Sequence, residues 1–335
     1  MMKNFWQKLK KPFFALAPLA DVTDVAFREI IAKYSKHGTE GGGPDVFWTE
    51  FVSADGLCNP TGRKKLLIDL AYTEAERPIV AQLFSSKPEN MRQAAKIVSE
   101  LGFDGIDINM GCPDKTIEKQ GAGANLIKNP KLAQEIIKAA MAGGGGLPIS
   151  VKTRIGYHQE NLEEWLGALL ETKPAAITVH ARTRKEMSKV PARWKEVARA
   201  VELARGSGTL IIGNGDVIDL ADARAKARET GADGVMLGRA IFGNPWLFNR
   251  DSLLQCSQEH WSRESAEVRE KLKVMVEHTE LFEKKLGKIK NFAIMKKHYK
   301  AYVHGFDGAK ELRVKLMDAK DAKEVGSIVN KFLEW

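Results

Sequence analysis

Short apolar segments alternate with helix-like segments eight times along the first two thirds of this chain. Uninterrupted apolar runs are typical of strands in a parallel sheet that is covered by helices. Eight such units predict an α/β fold, a (β/α)8 TIM barrel. The predicted strands are residues 13–19, 46–52, 79–84, 105–110, 149–155, 176–181, 210–213 and 234–237. The predicted helices between them include residues 24–34, 88–101, 130–142, 161–170, 194–204 and 220–230.

The pattern changes after the last predicted strand. Beyond Pro245 the β-type runs stop, and residues 264–335 carry apolar positions at helical spacing between charged ones. We therefore predict two domains, a barrel over residues 1–252 and a small C-terminal helical bundle over residues 253–335. A chain of 335 residues that is 44% hydrophobic is large enough to bury both cores.

The cysteine content and the N-terminus bear on the compartment. Three widely spread cysteines favour neither a disulfide framework nor a metal cluster, and they fit a reducing cytoplasm. The basic start of the chain leads into an apolar run, but Pro18 ends that run early, which favours a first strand over a secretion signal. No run approaches the roughly 20 apolar residues of a membrane span. We expect a cytoplasmic monomer with no metal and no membrane partner.

Positive charge is concentrated near the C-terminus. The net charge is +9, and the segment from Lys284 to Lys315 has ten basic and two acidic side chains. Four further lysines precede the first acidic residue, Asp21. Such a distribution suits a polyanionic partner such as nucleic acid. On charge alone, a solvated helix face explains it equally well.

Polar residues stand at or just after the carboxyl end of nearly every predicted strand. Barrel enzymes build their active sites at that end, from residues of several strands. A single such residue is more often structural, but so many converging ends favour an active site. The residues are Asp21, Asp24, Glu50, Ser53, Gln82, Asn109, Cys112, Lys152, Arg154, His180, Arg182, Asn214, Asp216 and Arg239.

The turns that follow the last two predicted strands are suited to binding a phosphate group. The glycine-rich turns after strands seven and eight expose backbone N–H groups, and Arg239 adds a charged fork. Lys152 and His180 point into the same mouth, which favours a phosphorylated cofactor over a phosphorylated substrate. A lysine next to an electron-accepting ring stabilises the charge that the ring gains on reduction, which suits a flavin.

A set of motifs runs through these strand ends and into the helical part. They are Leu16-Ala17-Pro18-Leu19, Thr49-Glu50-Phe51-Val52-Ser53, Ala81-Gln82-Leu83-Phe84, Asp107 to Pro113, Gly121-Ala122-Gly123-Ala124, Val151-Lys152-Thr153-Arg154, Val179-His180-Ala181-Arg182-Thr183, Asn214-Gly215-Asp216, Gly238-Arg239 and Met295-Lys296-Lys297-His298. As a set they are specific, and with them the chain resembles the tRNA-dihydrouridine synthases, flavoenzymes that reduce particular uridines of tRNA.

The resemblance implies FMN in the barrel mouth and NADPH, or NADH, as a transient reductant. No Rossmann-type glycine fingerprint is evident, so the nicotinamide is expected to bind over the flavin. Asn109 and Arg154 are expected to face the substrate base. The residues implied to hold FMN are Ala17, Pro18, Leu19, Gln82, Lys152, His180, Asn214, Gly215, Asp216, Gly238 and Arg239.

Cys112 is the candidate catalytic residue. In uracil the C5=C6 bond is conjugated to a carbonyl, so hydride from flavin N5 adds at C6, and C5 then needs a proton. A thiol that is largely protonated at neutral pH can supply it as a general acid. The base must be drawn out of folded RNA. We expect Lys296, Lys297 and Lys300 to bind the tRNA, and the aromatic residues between and after them to be core.

Two other functions remain open at this stage. A barrel enzyme that binds FMN could reduce or oxidise a free pyrimidine, as dihydroorotate dehydrogenases do. The basic C-terminal part would then have no role in substrate binding. A non-catalytic RNA-binding protein could retain an old barrel, and it would then be colourless. The sequence does not tell which tRNA uridine is modified.

Overall fold

A single sheet of parallel strands curls into a barrel. The computed structural model describes residues 4–250, 262 and 265–334. In chain order the strands β1 to β8 are Phe13–Leu16, Phe47–Ser53, Ile79–Phe84, Gly105–Met110, Ile149–Arg154, Ala176–His180, Leu210–Asn214 and Gly234–Leu237. Each strand from β2 to β7 pairs with the next strand in the chain, and β1 pairs with β8. A bridge between Ala15 and Val46 joins β1 to the β2 side. The predicted (β/α)8 barrel is confirmed.

Helices cover the outside of the sheet, and several begin at the side-chain caps that the sequence contains. Asp24 caps the first long helix by accepting a hydrogen bond from Phe27 N, and Asp219 caps another through Asp222 N. In chain order the helices α1 to α9 are Val25–Tyr34, Ala54–Cys58, Pro60–Leu66, Pro88–Glu100, Lys115–Lys119, Pro130–Gly143, Leu162–Leu170, Trp194–Leu203 and Leu220–Thr230.

Strand β1 is shorter than predicted. It ends at Leu16, whereas the apolar pattern predicts a strand to residue 19. The backbone of Ala17 still donates a hydrogen bond to Leu237 O over 2.8 Å, but Pro18 has no N–H to continue the ladder. Residues 17–19 therefore leave the sheet and form part of the barrel rim.

The C-terminal part is helical, as predicted. Its helices α10 to α13 are Ala266–Leu286, Met295–Tyr302, Ala309–Asp318 and Ala322–Leu333. Met295, Tyr299 and Tyr302 are fully buried in its core, so the aromatic residues of α11 are packing residues. The predicted boundary between residues 252 and 253 lies outside the described residues.

Helix α1 joins the two parts, because it is apolar on two faces. Phe27 and Ile31 pack into the barrel core, whereas Val25, Ala26 and Ile30 belong to the core of the helical part. This shared helix fixes the helical part beside the barrel. Among the described residues, no helix is both long and apolar enough to cross a lipid bilayer.

Candidate active site at the mouth of the barrel

A cavity of about 770 Å³ opens at the carboxyl ends of the strands. This volume is typical of a cofactor site. Every residue that the sequence suggests for FMN lies along its wall, together with three residues suggested for the substrate and the proton. These lining residues are Ala17, Pro18, Leu19, Gln82, Asn109, Cys112, Lys152, Arg154, His180, Asn214, Gly215, Asp216, Gly238 and Arg239.

The sheet register explains why these side chains meet. Neighbouring strands are parallel and side chains alternate between the two faces, so residues paired across strands point to the same side. Lys152 stands opposite Asn109, and His180 stands between Arg154 and Asn214. Gln82 stands opposite Asp107, one layer deeper. A polar network therefore fills the upper end of the barrel interior.

A chain of hydrogen bonds begins at the buried carboxylate of Asp107 and ends at the turn that carries Cys112. Asp107 Oδ2 accepts from Gln82 Nε2 over 2.7 Å, and its Oδ1 accepts from Ser150 Oγ over 2.6 Å. Gln82 Oε1 accepts from Asn109 Nδ2 over 3.0 Å. Asn109 Oδ1 in turn accepts from Cys112 N over 2.9 Å and from the preceding glycine N over 3.1 Å. The carboxylate thus determines which way both amides face.

Arg154 ties the same turn to the loop after β6. Its Nε donates to Gly111 O over 2.8 Å, and its Nη1 donates to Thr183 O and Met187 O over 3.1 and 3.0 Å. Burial lowers the pKa of Arg154 to about 10, so the guanidinium stays charged at neutral pH. Asn109 and Arg154, predicted to face the substrate base, therefore also build the Cys112 turn.

The thiol of Cys112 is half-buried, and its environment favours the protonated form. Burial raises its pKa above the ordinary value and outweighs the hydrogen bond from the Asp114 backbone, which lowers it. The turn is compact, because a Cβ at Gly123 would lie 2.8 Å from Cys112 O, and Gly123 has a positive φ of 61°. The cysteine is thus held as a neutral thiol at the cavity wall.

Lys152 and His180 also line the cavity. Burial, helped by the charge of Arg154, lowers the pKa of Lys152 to about 8, and its Nζ donates to Asn214 Oδ1 over 3.3 Å. Burial and the Lys152 charge hold the pKa of His180 well below its ordinary value. Its Nε2 accepts from Arg182 Nη1 over 3.3 Å, so the ring is neutral with the proton on Nδ1.

The ends of β7 and β8 form a cationic corner organised by Asp216. Its carboxylate accepts from Arg182 Nη2, from Ala192 N over 2.9 Å and from Arg239 Nη2 over 2.7 Å. The Asp216 carboxylate therefore orients the two arginines. Gly215 is required at the turn, since its φ is 124° and a Cβ there would lie 2.9 Å from that of Ala192.

The predicted tRNA lysines lie outside the cavity, on α11. Lys297 and Lys300 are exposed and Lys296 is half-buried. Lys297 Nζ lies 3.8 Å from a carboxylate oxygen of Asp21, which follows the rim segment 17–19. The exposed face of α11 therefore continues the rim of the barrel.

Comparisons with known proteins identify the family. The model of the dihydrouridine synthase (Dus) family matches residues 15–334. The chain belongs to the dihydrouridine synthase family. It is 40% identical over 337 aligned positions to the probable tRNA-dihydrouridine synthase of Staphylococcus aureus strain COL, covering 99% of this chain and 96% of that one. It is 39% identical to the probable tRNA-dihydrouridine synthase 2 of Bacillus subtilis strain 168, covering 99% and 97%.

Solved structures of low sequence identity share the fold. Morphinone reductase in complex with tetrahydroNAD aligns with a TM-score of 0.50 and 15% identity, over 77% of this chain and 91% of that one. Histamine dehydrogenase from Rhizobium sp. 4-9 aligns with a TM-score of 0.52 and 12% identity, over 80% and 48%.

The structure adds residues that sequence reasoning missed as parts of the site. Phe51, Ser188, Ile218 and Met236 also line the cavity. The buried Asp107 lies beneath it, and a sequence signal for that residue existed. An acid within an otherwise apolar strand, two positions before Asn109, points to the same face of the sheet as the asparagine.

Proposed function

We propose that this member of the family reduces the C5=C6 bond of specific tRNA uridines to 5,6-dihydrouridine, with FMN bound in the barrel mouth and Cys112 as general acid. The observation that carries the proposal is the neutral thiol of Cys112 on the wall of the cavity that Lys152 also lines. Family membership supports the choice of tRNA uridine as substrate.

The donor set of the cavity fits FMN. The cationic corner of Arg182 and Arg239, with the turn at Gly215, suits the phosphate. Lys152, the neutral His180 and the backbone of residues 17–19 would hold the ring system. When bound, FMN supplies the hydride that adds to C6 of uracil. NADPH or NADH is the proposed source of that hydride.

The protein residues have separate tasks in this reaction. Cys112 gives its thiol proton to C5 of the uracil, and the pKa-raising environment keeps that proton in place beforehand. Asn109 and Arg154 hold the turn, so the sulfur stays at the cavity wall. Lys152, cationic below its pKa of about 8, stabilises negative charge in the cavity.

The helical part is proposed to bind the tRNA. The exposed Lys297 and Lys300 continue the cavity rim, so they can hold phosphates while one base enters the barrel. These contacts offset the cost, a few kcal/mol, of drawing the base out of the fold.

The test is a comparison of the purified protein with its Cys112→Ala variant. We expect both to carry the visible absorption of flavin, and the reduced flavin of the wild type to be reoxidised by tRNA. The variant is expected to lose tRNA-dependent reoxidation by at least about 100-fold, since general acid catalysis contributes about that much. Cys58→Ala is the matched control, because Cys58 is also half-buried but does not line the cavity.

Two outcomes would contradict the proposal. Undiminished turnover by Cys112→Ala would remove the cysteine from the mechanism. Free uridine serving as well as tRNA as the oxidant would favour the reductase or dehydrogenase of a free pyrimidine, and a colourless protein would favour an RNA-binding function without catalysis.

A further inference from the structure

A lysine of the helical part reaches into the barrel rim and is almost fully enclosed there. Lys290 lies between α10 and α11, and its Nζ is 2.8 Å from Glu50 Oε2 and 2.7 Å from Asp69 Oδ1. Only 12% of its side chain and 7% of that of Glu50 are exposed. Two carboxylates around one buried ammonium leave it no freedom to contact RNA phosphates, so it has a different task from its exposed neighbours.

Glu50 connects Lys290 to the cavity rim. Its second oxygen, Oε1, accepts a hydrogen bond from Asp21 N over 2.5 Å. Asp21 has a φ of 52°, in the left-handed region that few residues other than glycine adopt, and the hydrogen bond to Glu50 helps to hold it there. It follows directly on the segment that contains Pro18 and Leu19, both of which line the cavity.

We propose that Lys290 is a positioning residue that couples the placement of the helical part to the shape of the cavity rim at residues 18–21. Lys290 holds the Glu50 carboxylate in place, and Glu50 holds the backbone of Asp21. A shift of the helical part on binding RNA therefore reaches the wall of the catalytic cavity through two side chains.

The ion pair between Lys297 and Asp21 also reaches the rim, but two others between the two parts do not. Lys33 of α1 pairs with Glu277 of α10 over 2.6 Å, and Lys285 of α10 pairs with Glu29 of α1 over 2.7 Å. Both lie along the shared helix, and the Lys33 side chain is 58% exposed. Lys33→Met is therefore a matched control, since it removes an ion pair between the same two parts without touching the rim.

Hydrogen exchange at the Asp21 amide measures the coupling directly in the full chain. In Lys290→Met, the Glu50 carboxylate is left buried without its cation, so it turns toward water and away from Asp21 N. We expect exchange at Asp21 to become about tenfold faster or more, because local opening becomes easier. In Lys33→Met the rate at Asp21 is expected to stay unchanged.

A double variant separates positioning from simple docking of the two parts. In Lys290→Met combined with Glu50→Gln, the amide oxygen can still accept from Asp21 N, and no unpaired charge is buried. Hydrogen exchange at the Asp21 amide should therefore become slow again, as in the wild type. If Lys290→Met does not fold, Asp69→Asn, which leaves Lys290 one carboxylate, should give an intermediate rate.

The inference is overturned if Asp21 exchanges equally in the wild type and Lys290→Met, if the double variant is no slower than Lys290→Met, or if Lys33→Met is equally fast. The catalytic consequence rests on the proposed function: Lys290→Met should lower kcat for tRNA reduction at least about fivefold while KM changes less. A wild type that does not reduce tRNA at all would contradict the proposed function and leave the exchange result standing.

Discussion

At the scale of the residue, the Asp107 carboxylate organises the Cys112 turn although it does not line the cavity. It is fully buried, and burial raises its pKa to about 6. It remains an acceptor for the Gln82 amide at neutral pH, and the hydrogen-bond chain continues from there to Cys112 N.

Two substitutions at Asp107 should distinguish the effect of its hydrogen-bond acceptor from the effect of its charge. Asp107→Leu leaves the Gln82 amide donor buried and unpaired, which costs about 1–3 kcal/mol of unfolding free energy and should lower flavin occupancy. Asp107→Asn keeps an acceptor oxygen and should lose much less of both. Thermal unfolding and the ratio of flavin to protein absorbance measure the two effects. Equal losses in both variants would mean that the acceptor geometry does not matter.

The sequence predicted most of the residues that line the cavity, because the carboxyl ends of all strands in a parallel barrel lie at the same face. It did not predict the hydrogen bonds of Asp107 with Gln82 and Ser150, which lie 25 and 43 residues away in sequence. Nor did it predict the contacts of Lys290 with Glu50 and Asp69. Glu50 is 240 residues away from Lys290 in sequence, and these contacts depend on how the two parts of the chain dock. Such contacts depend on register and docking, which local patterns do not encode.

At the scale of the element, the strands and long helices follow directly from the pattern, while short elements do not. The apolar runs located every strand of the described barrel to within a few residues. The helices α2 and α5, of five residues each, are too short for a helical period to be visible. They lie after β2 and β4, where they shape the rim.

Helix α11 offers the element-scale prediction. Replacing Lys296, Lys297 and Lys300 by alanine should weaken tRNA binding and reduce the slope of log K against log salt by up to about three, roughly one for each phosphate that no longer has a lysine beside it. Titrations at several salt concentrations measure the slope. Lys297 is the residue nearest the rim, beside Asp21.

The matched control changes charge by the same amount on the barrel. Lys131 and Lys138 of α6 and Lys173, which follows α7, are exposed and lie far in sequence from the basic segment. Their replacement by alanine should leave the salt slope close to that of the wild type. Equal effects of both triple variants would indicate that net charge alone attracts the tRNA.

At the scale of the whole molecule, the contact between barrel and helical part contains two buried histidines. Phe27 of α1 packs against His278 of α10 and His298 of α11, at ring distances of 5.4 and 5.2 Å. The two imidazoles also contact each other at 4.7 Å. Neither has a hydrogen-bond partner among the residues that the structure describes. Both are therefore neutral apolar surfaces in the folded chain.

These histidines should make the fold sensitive to acid. Burial lowers the pKa of His278 from 6.5 to about 3 and that of His298 well below the same value. Below pH 6.5 the unfolded chain therefore binds protons that the folded chain does not, so stability falls as the pH falls. Each histidine costs about 1.4 kcal/mol per pH unit in this range.

Denaturant unfolding at pH 6 and pH 5 measures this loss. Between these values the wild type should lose roughly 2.4 kcal/mol more than a variant with both His278→Leu and His298→Leu, because the unfolded histidines are only partly protonated at pH 6. The comparison cancels the contribution of carboxyl groups, which both proteins share. Leucine also keeps the contact with Phe27 apolar, so the variant should stay folded at neutral pH. His158→Leu, at an exposed position, is the control and should follow the wild type. A double variant with the same pH dependence as the wild type would show that the contact between the two parts opens to water before the chain unfolds.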